Sequence, residues 1–143
     1  MKVKIKRIHP DAKIPEQKTK AAAGFDIYAI EETVIKPGES AMIRTGVALE
    51  FPEDMLVIVA PRSSFALKKH LDVPHSIGIG DSDYRGEYLL PLRNLGTEEA
   101  IIEKHERIGQ FVFLNKVDVE FEEVDELEDS ERGTGGFGST GKF

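Results

Sequence analysis

Polar and apolar residues alternate through Lys2–Ile8, the period of a half-buried strand. Short β-rich runs follow at Phe25–Ile30, Thr33–Lys36, Ala41–Arg44, Val47–Phe51 and Met55–Ala60. More stand at Tyr88–Arg93, Ala100–Lys104, Gln110–Leu114 and Val117–Val124. Turn residues separate several of them. Lys36-Pro37-Gly38-Glu39 has proline followed by glycine, the chemistry of a type II turn. Pro91 inside its run predicts an edge strand or a bulge, because proline has no N–H to give a ladder. Only Ser63–Lys69 reads as helical, with Ser63 or Ser64 as its cap and at most two turns. Many short strands at this spacing predict an all-β sandwich, jelly roll or barrel. No repeat of solenoid period interrupts the pattern.

The length of 143 residues suits one domain able to bury its own core. The chain has no cysteine, which excludes disulfides, thiolate metal sites and cysteine nucleophiles. No apolar run approaches the roughly 20 residues of a membrane helix. The opening Met1-Lys2-Val3-Lys4-Ile5-Lys6 lacks the apolar stretch of a signal peptide, so an intracellular, cytoplasmic protein without membrane or nucleic-acid partners is expected. The formal charge is −7, and its distribution matters more than its sum. Residues 118–131 hold nine acids and no base. The remainder carries 17 acids against 19 bases, so a phosphate-rich ligand is not excluded. The acidic run itself reads as a solvated strand edge and linker, with a protein-binding surface as the other reading.

The last twelve residues, Arg132 to Phe143, hold five of the 13 glycines. Such a segment loses much entropy on ordering and can bury little besides Phe137 and Phe143. It is either a frayed end or an arm that orders over a phosphate ligand, where glycine lets backbone N–H groups come close to phosphate oxygens.

Four internal segments carry candidate chemistry. Asp81-Ser82-Asp83-Tyr84-Arg85-Gly86-Glu87 follows Ile77-Gly78-Ile79-Gly80. A β-hairpin there would project Asp81 and Asp83 to one side, and a carboxylate so placed can accept a proton from an attacking water. A plain polar turn explains the same residues. Pro61-Arg62-Ser63-Ser64 joins a buried strand to the short helix and offers hydroxyls and a guanidinium to an anion, or simply a cap. Ala23-Gly24-Phe25-Asp26-Ile27-Tyr28-Ala29 sets one acid inside an apolar strand, where it is either paired or used near a cation. Arg107-Ile108-Gly109-Gln110-Phe111-Val112 puts Arg107 at a strand start and Gln110 within it.

Together, in this order, these segments and the glycine-rich tail resemble the homotrimeric dUTPase family. The resemblance covers almost the whole chain from near residue 21, and the tail and the Asp81–Glu87 segment are its specific parts. It implies a distorted jelly-roll β-barrel over residues 1–131 and a flexible arm over 132–143 that closes on an active site, here of a neighbouring subunit. It implies hydrolysis of dUTP to dUMP and pyrophosphate with Mg²⁺ on the triphosphate, in three sites each assembled from all three subunits of a homotrimer. By its place in the motif, Asp81 would deprotonate the water that attacks the α-phosphorus. Tyr84 would lie under the deoxyribose and exclude a 2′-hydroxyl. Backbone groups at Gly78 and Ile79 would read uracil, with His75 beside them. Arg62, Ser63, Ser64 and Gln110 would hold the phosphates, and Asp26 would hold Mg²⁺ through water. From the arm, Phe137 would stack on uracil, Arg132 would bind the γ-phosphate, and Gly138, Ser139 and Thr140 would cover the phosphates.

The chain departs from the family pattern in three places. Gly80 stands where a branched apolar residue usually precedes the catalytic acid, His75 stands where many bacterial members have asparagine, and Ser64 stands where a small residue often follows the first serine. A related branch deaminates dCTP. Its glutamate and arginine positions hold Pro91 and Leu67 here, which removes the groups that chemistry needs. A non-catalytic binding module is the other alternative, with the acidic run as its surface.

Overall fold

A computed structural model describes all residues, Met1–Phe143. Eleven strands follow one another: β1 (Lys4–Arg7), β2 (Phe25–Tyr28), β3 (Thr33–Ile35), β4 (Ser40–Arg44), β5 (Val47–Glu50), β6 (Met55–Pro61), β7 (Leu71–Asp72), β8 (Gly78–Gly80), β9 (Leu89–Asn94), β10 (Ala100–Ile102) and β11 (Arg107–Asn115). They pair antiparallel in four sheets, β1-β5, β10-β3, β2-β11-β6-β8 and β4-β9-β7. The all-β reading is borne out. The four sheets are not joined by hydrogen bonds into one closed barrel.

Side-chain period two builds the core. In β6, Met55, Val57 and Val59 are buried while Leu56, Ile58 and Ala60 are less so. These residues join Ile108 and Phe111 of β11 and Leu90 and Leu92 of β9 in one contiguous apolar core. The Lys36–Glu39 turn forms as predicted: Glu39 N–H donates to the Lys36 carbonyl at 3.0 Å, and Gly38 has φ 79°. Pro91 lies opposite Met42 of β4, beyond the end of the two-residue β7 ladder, so β9 is locally an edge at that point.

Three expectations need correction, on the last strand, the hairpin and the serine cap. Val117–Val124 forms no strand: the alternation of Val117, Val119 and Phe121 with acids meets no backbone partner within the chain, and these apolar side chains stay exposed. A strand needs a ladder as well as a pattern. The hairpin around Asp81 does not form, because β8 pairs with β6 rather than with β9. Residues 63–69 are helical as expected, and within them Phe65–Lys69 is a turn of wide pitch in which His70 N–H reaches back five residues to the Phe65 carbonyl. Neither serine caps it. Ser64 has helical φ and ψ, so its hydroxyl is not presented to the turn above, and Phe65 N–H donates to the Arg62 carbonyl instead.

Beyond Lys116 the hydrogen bonds of the backbone stay within the segment, as from Gly133 to Ser130 and from Ser139 to Gly136. Phe121, Phe137 and Phe143 are fully exposed.

Candidate active site

β6 is the hub of the site. One edge pairs with β8, setting Val59 opposite Gly78, and the other pairs with β11, setting Ala60 opposite Gln110. The chain then leaves β6 through Arg62 and the two serines.

On the β8 side, a cavity of about 320 Å³ opens between β8, the Asp81–Glu87 turn and the facing residues of β4 and β9. His75, Gly78, Ile79, Asp81 and Tyr84 all line it. The turn is held from within and from below. Tyr84 N–H donates to the Asp81 carbonyl at 3.2 Å, and its hydroxyl donates to the Glu87 carbonyl at 2.9 Å. The Glu87 carboxylate accepts from Gly46 N–H at 2.8 Å and from Arg44 Nε at 3.1 Å. That clamp joins the turn to the β4–β5 connection. His75 donates from Nδ1 to the Ile77 carbonyl at 2.6 Å, which leaves Nε2 without a partner in the chain.

Tyr88 closes the cavity from beneath. Burial pushes its phenol up to about 12, with the nearby Tyr84 and Asp81 adding to the shift.

On the other side of β6, Gln110 sits opposite both Ala60 and Asp26. Arg107 donates from Nη1 to Asp26 Oδ2 at 3.2 Å, so the acid inside the apolar strand is paired. Gly24 allows Gln110 to lie close, since a Cβ there would stand 2.5 Å from Gln110 Oε1. The hydroxyls of Ser63 and Ser64 and the guanidinium of Arg62 engage no hydrogen bond or ion pair with other side chains. None of these groups lines the cavity. Neither does the tail. Arg132 donates from Nε to the Gly135 carbonyl at 2.8 Å, and Phe137, Gly138, Ser139 and Thr140 are exposed.

One chain thus gathers the acid, the tyrosine ring and the β8 backbone, and holds the cationic and hydroxyl groups and the tail elsewhere. Pro91 lines the cavity where the deaminase branch needs a glutamate, and Leu67 is exposed on the helical turn. Glu87 and Tyr88 went unassigned in the sequence, where one reads as another acid of a polar turn and the other as an ordinary strand residue.

The family model for dUTPase matches residues 10–141. The chain belongs to the dUTPase family. The deoxyuridine 5′-triphosphate nucleotidohydrolase of Nautilia profundicola is 49% identical over 142 residues, covering 99% of this chain and 100% of that one. The protein of the same name from Clostridioides difficile is 46% identical, covering 97% of each. Among solved structures, a point mutant of the Staphylococcus bacteriophage 80alpha dUTPase with dUpNHpp superposes with a TM-score of 0.93 at 30% identity over 99% of both chains. Of the segments that carry the resemblance, β8 and the Asp81–Glu87 turn line the cavity, those of Arg62 and Gln110 lie across β6 from it, and the tail meets neither. No helix of this dUTPase-family chain is long and apolar enough to cross a membrane.

Proposed function

We propose that this chain hydrolyses dUTP to dUMP and pyrophosphate, with Asp81 as the base that activates water. The observation that carries the reading is the meeting of Asp81, Tyr84 and the backbone of Gly78 and Ile79 at one cavity. A free carboxylate beside a base-reading strand and a ring of the right size for a sugar is the chemistry the reaction needs. Water adds to the α-phosphorus, its proton passes to Asp81, and the bond from that phosphorus to the bridging oxygen breaks as pyrophosphate leaves. Charge on the transferring phosphoryl group is met by oriented donors, for which Arg62, Ser63, Ser64, Gln110 and Arg132 are the candidates.

Tyr84 would stack under the deoxyribose and leave no room for a 2′-hydroxyl. The N–H and carbonyl groups of Gly78 and Ile79 offer an edge complementary to uracil, with His75 Nε2 as a further contact. Phe137 would cover the base from above, and Gly138, Ser139 and Thr140 would cover the phosphates.

Mg²⁺ enters as part of the substrate. No three histidine or acidic side chains converge on one point, which suits an ion that keeps its waters and binds mainly to phosphate oxygens. Asp26, a single carboxylate beside Gln110, fits a water-mediated contact to such an ion. The ion would offset the repulsion between triphosphate and carboxylates.

The division into a body of residues 1–131 and an arm of residues 132–143 belongs to the same reading, as does a homotrimer with shared sites. Its support is the separation within one chain: the cavity with the acid lacks the cations, and the exposed tail does not touch the cavity of its own chain. A neighbouring copy would supply what each cavity lacks. Pyrophosphate release with Mg²⁺ across dUTP, dCTP, dTTP and UTP tests the reading. Rapid release from dUTP alone supports it, and equal release from all four contradicts it.

A further inference from the structure

Tyr88 is the one buried side chain whose polar atom has no partner. Its hydroxyl oxygen is enclosed, and nothing in the chain donates to it or accepts from it. The residue is only 5% exposed. An unpaired buried hydroxyl opposes folding, so its persistence asks what the rest of the side chain does.

The ring connects the core to the cavity. It meets Phe111, a fully buried core residue, edge to face at 5.1 Å between centroids. It meets Tyr84 in the same manner at 5.4 Å, with the planes 85° apart. Both are favourable aromatic geometries. Its far end lies against Gly80, the last residue of β8. A Cβ at Gly80 would stand 2.6 Å from the Tyr88 hydroxyl oxygen, 2.6 Å from Val57 Cγ1 of β6 and 2.8 Å from Tyr88 Cε1. The backbone of Tyr88 is fixed as well, since its N–H donates to the Val47 carbonyl at 2.9 Å and its carbonyl accepts from Thr45 Oγ1 at 2.5 Å. Tyr88 is therefore anchored from the core and touches the cavity at two points, the ring of Tyr84 and the end of the β8 strand.

We propose that Tyr88 is a positioning residue that fixes the spacing between the Tyr84 ring and β8, and thereby the selection of deoxyribose over ribose, and that position 80 is glycine because the end of the Tyr88 side chain, together with Val57, fills the space a side chain would take. The proposal rests on the reading of Tyr84 as the ring beneath the sugar. It explains why Gly80 and an aromatic residue at 88 occur together. It also assigns the work to the ring and not to the hydroxyl.

The test compares kcat/KM for dUTP and for UTP in wild type, Tyr88→Phe, Tyr88→Leu and Gly80→Ala, each checked for cooperative thermal unfolding. Tyr88→Phe keeps the ring and should retain the wild-type ratio. Tyr88→Leu removes the support and should lower the ratio about tenfold, the scale of a one-group misfit in a binding pocket. Gly80→Ala should lower it too, by pushing on Tyr88 and Val57; made in a Val57→Ala background, which relieves the β6 side, it isolates the push on Tyr88 and decides the matter where Tyr88→Leu does not fold. A ratio within twofold of wild type in the folded variants overturns the proposal, as does a loss in Tyr88→Phe equal to that in Tyr88→Leu. A wild type that does not prefer dUTP over UTP would instead overturn the reading of Tyr84, and the two failures are distinct.

Discussion

Arg107 donates from Nη1 to Asp26 Oδ2 at 3.2 Å, which ties the start of β11 to the middle of β2 beside Gln110. Only Oδ2 of the carboxylate is engaged by this contact, and Oδ1 accepts no hydrogen bond within the chain; we propose that Oδ1 meets a hydrated Mg²⁺. Asp26→Asn should therefore keep the fold and raise the Mg²⁺ concentration for half-maximal pyrophosphate release about tenfold, the scale of outer-sphere ligand changes. A magnesium titration at fixed dUTP checks this, and an unchanged midpoint would remove Asp26 from the site.

Asp81→Asn should lower pyrophosphate release by about 10²- to 10⁴-fold, the usual worth of a positioned base, while dUTP still binds. Calorimetric titration with dUTP alongside the turnover assay separates the two effects. Turnover at the wild-type rate would show that another group moves the proton.

Truncation after Glu131 should remove most catalysis and leave the melting temperature and oligomeric state unchanged, because residues 132–143 make no hydrogen bond to the strands. Coexpressing the truncated chain with full-length Asp81→Asn should restore part of the activity, since a shared site can then take its acid from one chain and its arm from the other. An inactive mixture would argue that each arm serves its own subunit.

The Tyr88 phenol is pushed by burial from its ordinary value near 10 up to about 12. The folded chain thus holds this proton where the unfolded chain has released it. Stability from this source is intact below pH 10 and is lost as pH rises from 10 toward 12. Denaturant unfolding across that window should show a fall in wild type that is shallower in Tyr88→Phe. Equal slopes would place Tyr88 in a more open setting.

Most strands were legible because their core-facing positions alternate, as in Met55, Val57 and Val59. β8 was not, since two of its three residues are glycines and its existence depends on the free edge of β6. The converse error fell at Val117–Val124, where the alternation is present and the ladder partner is not. In the site, Asp81 and Tyr84 were legible from their motif, and the cavity brings them together with Gly78 and Ile79. The part played by Glu87 was hidden because its partners, Arg44 and Gly46, lie some forty positions earlier. Tyr88 was hidden for a related reason: its meaning lies in what touches it, Gly80, Tyr84 and Phe111, and no local pattern announces that.

With Asp81 as the base, water attacks dUTP at its α-phosphorus. Turnover of Mg²⁺-dUTP in water enriched with heavy oxygen, followed by mass spectrometry of both products, reads the position of attack. One heavy oxygen is expected in dUMP and none in pyrophosphate. Label in the pyrophosphate would place the attack on the β-phosphorus and contradict it.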